Sequence, residues 1–344
     1  MPTILPSGAT TEGRPYMCSA QSPRKLLGFL PCFLPLFKPY FFGLANDCRL
    51  MVKGHMVEEI RIKDWNELTE RVYEGSWDAG IARFRPNIAY RGLSDVNYAL
   101  KSGLIRLGGV SERLEGHLLR NFRKYARRDS VPSDSIWDWM ALAQHHGLPT
   151  RLIDWTYSPY VAMHFATAKL EDFEIDGVIW CVNFARANEL IPERLKEVQR
   201  EEGSHTFTVD MLEGIAATPA EFDRLAHEPF VVFFEPPSLD DRIVNQFALF
   251  SLMSSATAAL DDWLIEHPEL CRKIIIPAAA KWEVRDKLDQ ANITERVLLP
   301  GLDGLSSWLK RYYTPRAIPV KPEGVKPSPE TEPLARERAS DESR

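Results

Sequence analysis

Apolar and polar positions alternate between two periods from about residue 57 to residue 314. Val57-Glu58-Glu59-Ile60-Arg61-Ile62 reads as a short strand. Asp64 then stands as an N-cap before Trp65, Leu68 and Val72 at helical spacing. Ile88-Ala89-Tyr90-Arg91-Gly92 predicts a strand ending in a turn. Ser111 to Arg128 predicts a long amphipathic helix. Leu114, Leu118, Phe122 and Tyr125 fall on its apolar face, Arg120, Arg123, Lys124 and Arg127 on the opposite one, and Arg128 at the flank.

The densest stretch runs from Trp139 to Ala166. Ala141, Leu142 and Ala143 belong to an apolar helix that Gly147 ends in a left-handed conformation and that Pro149 forbids to continue. Thr150-Arg151-Leu152-Ile153-Asp154-Trp155-Thr156 predicts a strand holding an arginine and an aspartate. Ser158-Pro159 predicts a helix start, serine as N-cap and proline in the first turn. Further strands are expected at Gly177–Val182, at Phe230–Phe234 before Pro236-Pro237, and at Arg272–Ile276. Residues 187–228 read as helical and irregular, Arg242–Leu252 as an apolar segment around Gln246, and Ala278–Gln290 and Leu305–Tyr312 as helices. The interleaving predicts an α+β fold, one mixed domain over residues 57–314 with a central, partly antiparallel sheet flanked by helices.

Composition changes the picture mainly at the ends. Pro23-Arg24-Lys25 precedes an apolar run from Leu26 to Ala45, which has the length and basic flank of a membrane or signal segment, yet Pro31, Pro35 and Pro39 break it and Lys38 interrupts it. Residues 1–56 are therefore expected to be a poorly ordered extension or a start assigned too early, with no stable membrane association. Residues 315–344 are rich in proline and charge and are expected to form a disordered tail. A net charge of −6 argues against bulk nucleic-acid binding, although a local basic patch remains compatible with it. Five widely spaced cysteines make neither a disulfide framework nor a metal cluster, which fits a reducing, cytoplasmic setting.

Tyr90-Arg91-Gly92, Ser102-Gly103-Leu104-Ile105-Arg106 and, above all, the run from Ala143 to Thr156 (AQHHGLPTRLIDWT) resemble the FRG domain, named for an aromatic-Arg-Gly motif that here carries tyrosine. Arg242–Phe250 resembles that family's later Arg, Gln and Phe segment, with Ala248 where glycine is common. Leu299–Leu305 resembles its closing motif. The resemblance identifies a domain more than a reaction.

The chemistry suggested by the residues is a nucleotide site. Arg91 with Gly92, then the hydroxyls of Thr156 and Ser158 before a helix, then Gln246 follow an order similar to that of ADP-ribosyltransferases, which carry an arginine, a Ser-Thr-Ser strand and a glutamate or glutamine. The likeness is one of arrangement. It implies NAD as substrate, with Arg91, Thr156, Ser158 and Gln246 as catalytic candidates and Arg91, Gly92, Arg106, Thr156 and Ser158 as binding candidates. A guanidinium pairs with phosphate oxygens, glycine admits a ligand to the backbone, and hydroxyls hold a ribose. Gln246 carries no charge and cannot supply the electrostatic stabilisation that a carboxylate gives.

Competing readings stay open. Arg151 and Asp154 fit a hydrogen-bonded brace in the core, and Arg91 a structural anchor. His145 and His146 fit satisfied helix-end histidines with no metal, and Trp139 and Trp155 fit core. The alternative function is a non-enzymatic module that binds a nucleic acid or a protein partner through the cleft or the basic helix face.

Overall fold

A computed structural model describes residues 56–126 and 133–316, all within the compact unit Lys53–Arg344. The expectations for residues 1–55 and 317–344, and for Arg127 and Arg128, lie outside the described residues. Among the described residues nine strands form: β1 (Glu58–Arg61), β2 (Trp77–Asp78), β3 (Arg83–Phe84), β4 (Ile88–Leu93), β5 (Leu152–Thr156), β6 (Gly177–Asn183), β7 (Val231–Phe234), β8 (Ala248–Met253) and β9 (Cys271–Ile276). Apart from the small β2–β3 pair, they make one mixed sheet in the order β1-β9-β6-β4-β5-β8-β7. Only β1 and β9 run parallel; the remaining neighbours are antiparallel. The α+β expectation is met.

The period-two pattern explains how the sheet buries both faces. On one face Ala89, Leu93, Ile153, Trp155, Val178, Trp180, Val231, Phe233, Leu249 and Ile275 join a single apolar cluster that crosses the sheet. The opposite face carries two clusters. Ile88, Tyr90, Ile179, Cys181, Ile274 and Ile276 build one on the β4–β6–β9 half. Leu152, Val232, Phe234, Phe250 and Leu252 build the other on the β5–β8–β7 half. Helices α1 (Trp65–Tyr73) and α5 (Pro159–Ala166) and the helix Ala278–Gln290 cover the first through Leu68, Val72, Ala162, Met163, Val284 and Leu288. Helix α4 (Ile136–His145) and the helices Glu193–Glu202, Val209–Ile215 and Pro219–Asp223 cover the second through Trp137, Met140, Leu195, Leu212 and Phe222.

Between these halves the ladder nearly fails. β4 meets β6 from Ile88↔Asn183 to Leu93↔Val178, and β5 meets β8 from Leu152↔Leu252 to Thr156↔Ala248. β4 and β5 meet at the single register Tyr90↔Thr156. The sheet is continuous there but parted.

A short and a long helix precede α4: α2 (Gly103–Leu107) and α3 (Ser111–Tyr125). Helix α3 corrects the sequence reading. Its described end is Tyr125, whose side chain is 77% exposed, and Glu115 and Leu119 are the positions turned inward. Of the expected apolar face, Leu114, Leu118 and Phe122 are half-buried, Phe122 against the core, and Glu115 turns inward because it meets Arg151 there. Elsewhere the caps act as expected: Asp64 accepts from Glu67 N–H at 3.0 Å, Ser158 accepts from Val161 N–H at 3.4 Å, and Gly147 takes φ +80°.

Gly92 has a packing task. A Cβ there would lie 1.8 Å from the Ala162 carbonyl oxygen and 2.7 Å from Ala166 N, so its absence lets α5 press onto β4. Gly92 also lines the cleft described below, so this contact occupies its α5 side alone. Helix α5 is held from behind by a neutral histidine: His164 Nδ1 lies 2.8 Å from Arg285 Nη1, an arginine fully buried on the helix Ala278–Gln290. Burial, then the Arg285 charge, push the His164 pKa down to about 3.

Gly92→Ala is expected to lower stability by at least about 1–3 kcal/mol through overpacking, read as a lower urea midpoint. Gly116→Ala, where a Cβ meets nothing within 4 Å on exposed helix, should instead raise the midpoint slightly. His164 predicts a pH dependence as well. Its folded pKa lies below the unfolded value, so its contribution is complete above about pH 6.5 and falls as pH drops toward about 3, by up to roughly 1.4 kcal/mol per unit. His164→Asn, which keeps an acceptor, should flatten stability between about pH 6.5 and 5.

Candidate functional site

The motif around Gly147 fixes its own side chains in sequence. Thr150 Oγ1 accepts from Leu152 N–H at 3.1 Å and donates to Gln144 Oε1 at 2.6 Å. That bond orients the Gln144 amide, whose Nε2 donates to both Asp154 carboxylate oxygens, at 3.1 and 3.0 Å. Asp154 is thereby held without being buried: its side chain is 58% exposed although Leu152, Ile153, Trp155 and Thr156 around it are buried. The core-brace expectation fails for Asp154.

It holds for Arg151, one residue outside the strand. Arg151 donates from Nε and Nη2 to Glu115 and from Nη1 and Nη2 to Asp223, and Nη1 also reaches the Met253 carbonyl at 3.4 Å. Burial alone would lower its pKa; the Glu115 and Asp223 bonds outweigh this and raise it. The network ties α3, the start of β5 and the helix Pro219–Asp223 together.

Arg91 sits at the parting of β4 and β5. It shares the alternation of Ala89 and Leu93, yet its Nη1 reaches across to donate to the Asp154 backbone carbonyl and lies 3.7 Å from Asp154 Oδ2. A side-chain donor thus serves a carbonyl on the strand whose ladder β4 leaves. Its Nε is buried with no hydrogen-bond partner. Burial lowers the Arg91 pKa, Asp154 opposes the shift, and Arg106 adds to it.

Arg91, Gln144 and Asp154 line a cleft of about 620 Å³ together with Tyr90, His145, His146, Phe165, Arg242, Gln246 and Phe250, a volume typical of small-molecule sites. Tyr90 belongs to the cluster of one sheet half and Phe250 to that of the other, so the cleft opens at the seam between them. His145 Nε2 lies 2.6 Å from Asp240 Oδ2. Burial favours the neutral Asp240 carboxyl, but the Ile243 N–H and His145 outweigh it and hold its pKa low. Arg242 is exposed and donates to the His145 carbonyl at 3.4 Å. Phe247, beside Gln246, is 58% exposed with φ +48°, a backbone conformation that non-glycine residues adopt at a cost.

Of the residues singled out in the sequence, Arg91, Gly92, Thr156 and Gln246 line this cleft; Ser158 and Arg106 do not. The hydroxyls are already employed. Thr156 Oγ1 donates to the Gln246 carbonyl at 2.7 Å and accepts from Ser158 N–H at 3.0 Å, while Ser158 caps α5. Gln246 Nε2 donates to the Leu298 carbonyl at 2.8 Å. Arg106 donates to the carbonyls of Ala99 and Lys101, tying down the loop before α2. On the basic face of α3, Arg123 is taken up by Asp134 at 2.6 Å and by the Trp139 ring. Sequence reasoning missed Gln144, Arg242 and the exposure of Asp154. The signal for Gln144 and Asp154 lay in the text, since a turn that reverses the chain between them sets their side chains face to face.

With this geometry in view, the comparison with known families is specific. Residues 86–174 match the family model of the FRG domain, so the chain carries an FRG domain. The match contains β4, α4, β5 and α5, hence Arg91, Gln144, Asp154 and Thr156, while Arg242 and Gln246 come from outside it. No curated protein and no solved structure matches the chain. Among the described residues no helix is long and apolar enough to cross a membrane.

Two substitutions separate brace from cleft. Arg151→Met should cost about 3–5 kcal/mol, because it leaves Glu115 buried without its partner. Asp154→Asn should cost about 1 kcal/mol or less, as expected for a partly exposed pair. Urea denaturation of both variants measures the contrast; equal losses would contradict it.

Proposed function

We propose that the cleft binds a nucleotide-like ligand, with NAD as the first candidate, and that the protein has an ADP-ribosyltransferase-like activity. The observation that best supports this reading is Arg91, a half-buried guanidinium at the parting of two strands that lines a cleft of ligand size. With Nη1 engaged by the Asp154 carbonyl, the guanidinium keeps further N–H donors for an anion, and a pyrophosphate offers the oxygens. Arg242, on the same cleft, adds a second cationic group, and Phe165 and Phe250 offer apolar surface to an aromatic base or to nicotinamide. The three elements whose order resembles that of ADP-ribosyltransferases lie next to one another: β4 bears Arg91, β5 bears Thr156, and Gln246 precedes β8.

The division of labour differs from the one suggested by the residue types alone. Thr156 and Ser158 shape the junction of β5 and α5, and Gln246 anchors the segment before β8 to the Leu298 carbonyl. Binding is assigned chiefly to Arg91 and Arg242. Recognition of a nucleic acid or protein through the basic face of α3 has less support, because Arg123 already pairs with Asp134 and stacks on Trp139.

Calorimetric titration with NAD tests the reading. The wild-type protein should bind, and Arg91→Ala should weaken binding by roughly 10- to 100-fold, the worth of one charge-assisted contact. An absence of binding by the wild type, with its cooperative unfolding transition intact, would overturn it. Labelled NAD incubated with cell extract then identifies the acceptor, protein or nucleic acid.

A further inference from the structure

We infer that Asp154 is the catalytic carboxylate of this cleft, supplying the negative charge that Gln246 lacks. The inference rests on the reading of the cleft as an NAD site. Four observations carry it. Asp154 is the sole acidic side chain among the described residues that line the cleft. It stands mid-strand with 58% of its side chain exposed while its neighbours on both sides are buried. Its orientation is fixed by Gln144, which is fixed in turn by Thr150. Finally, its Oδ2 lies 3.7 Å from Arg91 Nη1, so the carboxylate adjoins the group proposed to hold the ligand's phosphates.

A purely structural role explains this set poorly. A brace would be buried and saturated, as Arg151 is, whereas the two bonds from one Gln144 nitrogen leave the carboxylate oxygens with further acceptor capacity. A neutral asparagine could still accept from Gln144 through its one amide oxygen, so that contact does not itself require a charge. Its use lies toward the cleft.

The chemistry needs such a charge. Cleavage of NAD breaks the bond between the ribose C1′ and the nicotinamide nitrogen. The electron pair leaves with the nitrogen, nicotinamide departs neutral, and positive charge develops over C1′ and the ring oxygen. A fixed carboxylate beside that cation lowers the barrier without forming a bond. Water or an acceptor nucleophile then bonds to C1′ and gives up its proton to solvent, so that hydrolysis yields ADP-ribose, nicotinamide and a proton. Arg91 holds the phosphates, which stay with the ADP-ribosyl half, and so keeps C1′ placed as nicotinamide departs.

The test compares wild type, Asp154→Asn and Asp154→Glu by two measurements: NAD titration by calorimetry, and nicotinamide release by chromatography with and without cell extract as a source of acceptors. Asp154→Asn should bind NAD within about threefold of wild type yet release nicotinamide about 100- to 1,000-fold more slowly, and Asp154→Glu should recover part of the rate. Release by Asp154→Asn within about threefold of wild type overturns the assignment. So does loss of NAD binding in a folded Asp154→Asn protein, which would make Asp154 a binding group. A wild type that binds NAD and releases no nicotinamide under either condition overturns it while leaving the binding reading intact. A wild type that binds no NAD overturns the reading of the cleft itself.

Discussion

The parting of β4 from β5 is the constraint on which the remainder of this protein depends. Strands paired along their length satisfy each other's backbone groups, and unpaired ones must find other partners. Here the pair closes at Tyr90↔Thr156 alone, and the Asp154 carbonyl takes its donor from the Arg91 guanidinium. One face of the sheet remains a continuous apolar cluster across the parting, which holds the halves together. The other face divides into two clusters under different sets of helices, and the cleft lies where they fail to meet. Gly92 belongs to the same device, since α5 can cover β4 beside the gap only where no Cβ intervenes.

Much of the architecture was legible because it follows local rules. Asp64, Ser158-Pro159 and Gly147 mark helix ends through capping and backbone freedom, which act over three or four residues. The buried strands at Gly177–Asn183 and Val231–Phe234 stand out through β-branched and aromatic residues. Helix α3 resisted the same logic. Its apolar stripe was read from spacing, but Glu115 turns inward because Arg151 awaits it 36 positions along the chain, and no periodicity contains that fact.

The site was half legible for a related reason. Arg91 and Thr156 were recognised by type, and they do line one cleft. Their availability could not be read, because it depends on partners distant in sequence. Thr156 gives its proton to the Gln246 carbonyl, and Gln246 gives its amide to the Leu298 carbonyl, so residues of the right chemistry prove to be spent on backbone. Asp154 shows the converse. Its neighbours suggest a buried brace, yet where β4 leaves β5 its side chain stands open. The closing motif is similar: Gly301 takes φ +108°, and Gly304 stands where a Cβ would lie 1.8 Å from the Leu299 carbonyl oxygen. These are demands of packing, which explain the motif without assigning it chemistry.

The distribution of buried charge separates structure from function more clearly than residue type does. Arg151 is matched by Glu115 and Asp223, and Arg311 by Glu295 and Asp289, with several nitrogens of each guanidinium engaged. Lys281 is fully buried and donates to the carbonyls of Ser94 and Asp172. Arg285 has an unpartnered Nε, as Arg91 has, but its terminal nitrogens serve His164 and the Ile293 carbonyl deep in the protein. Taking a charge out of water is costly, and each of these sites recovers the cost within the fold. Arg91 recovers less of it: one carbonyl bond and a carboxylate at 3.7 Å that is itself open to the cleft. A cation and an anion left partly unsatisfied side by side, at a place where the sheet has given up its own pairing, are poorly explained by stability. In the function proposed above, a ligand would bring phosphate oxygens to the guanidinium and a developing positive charge to the carboxylate.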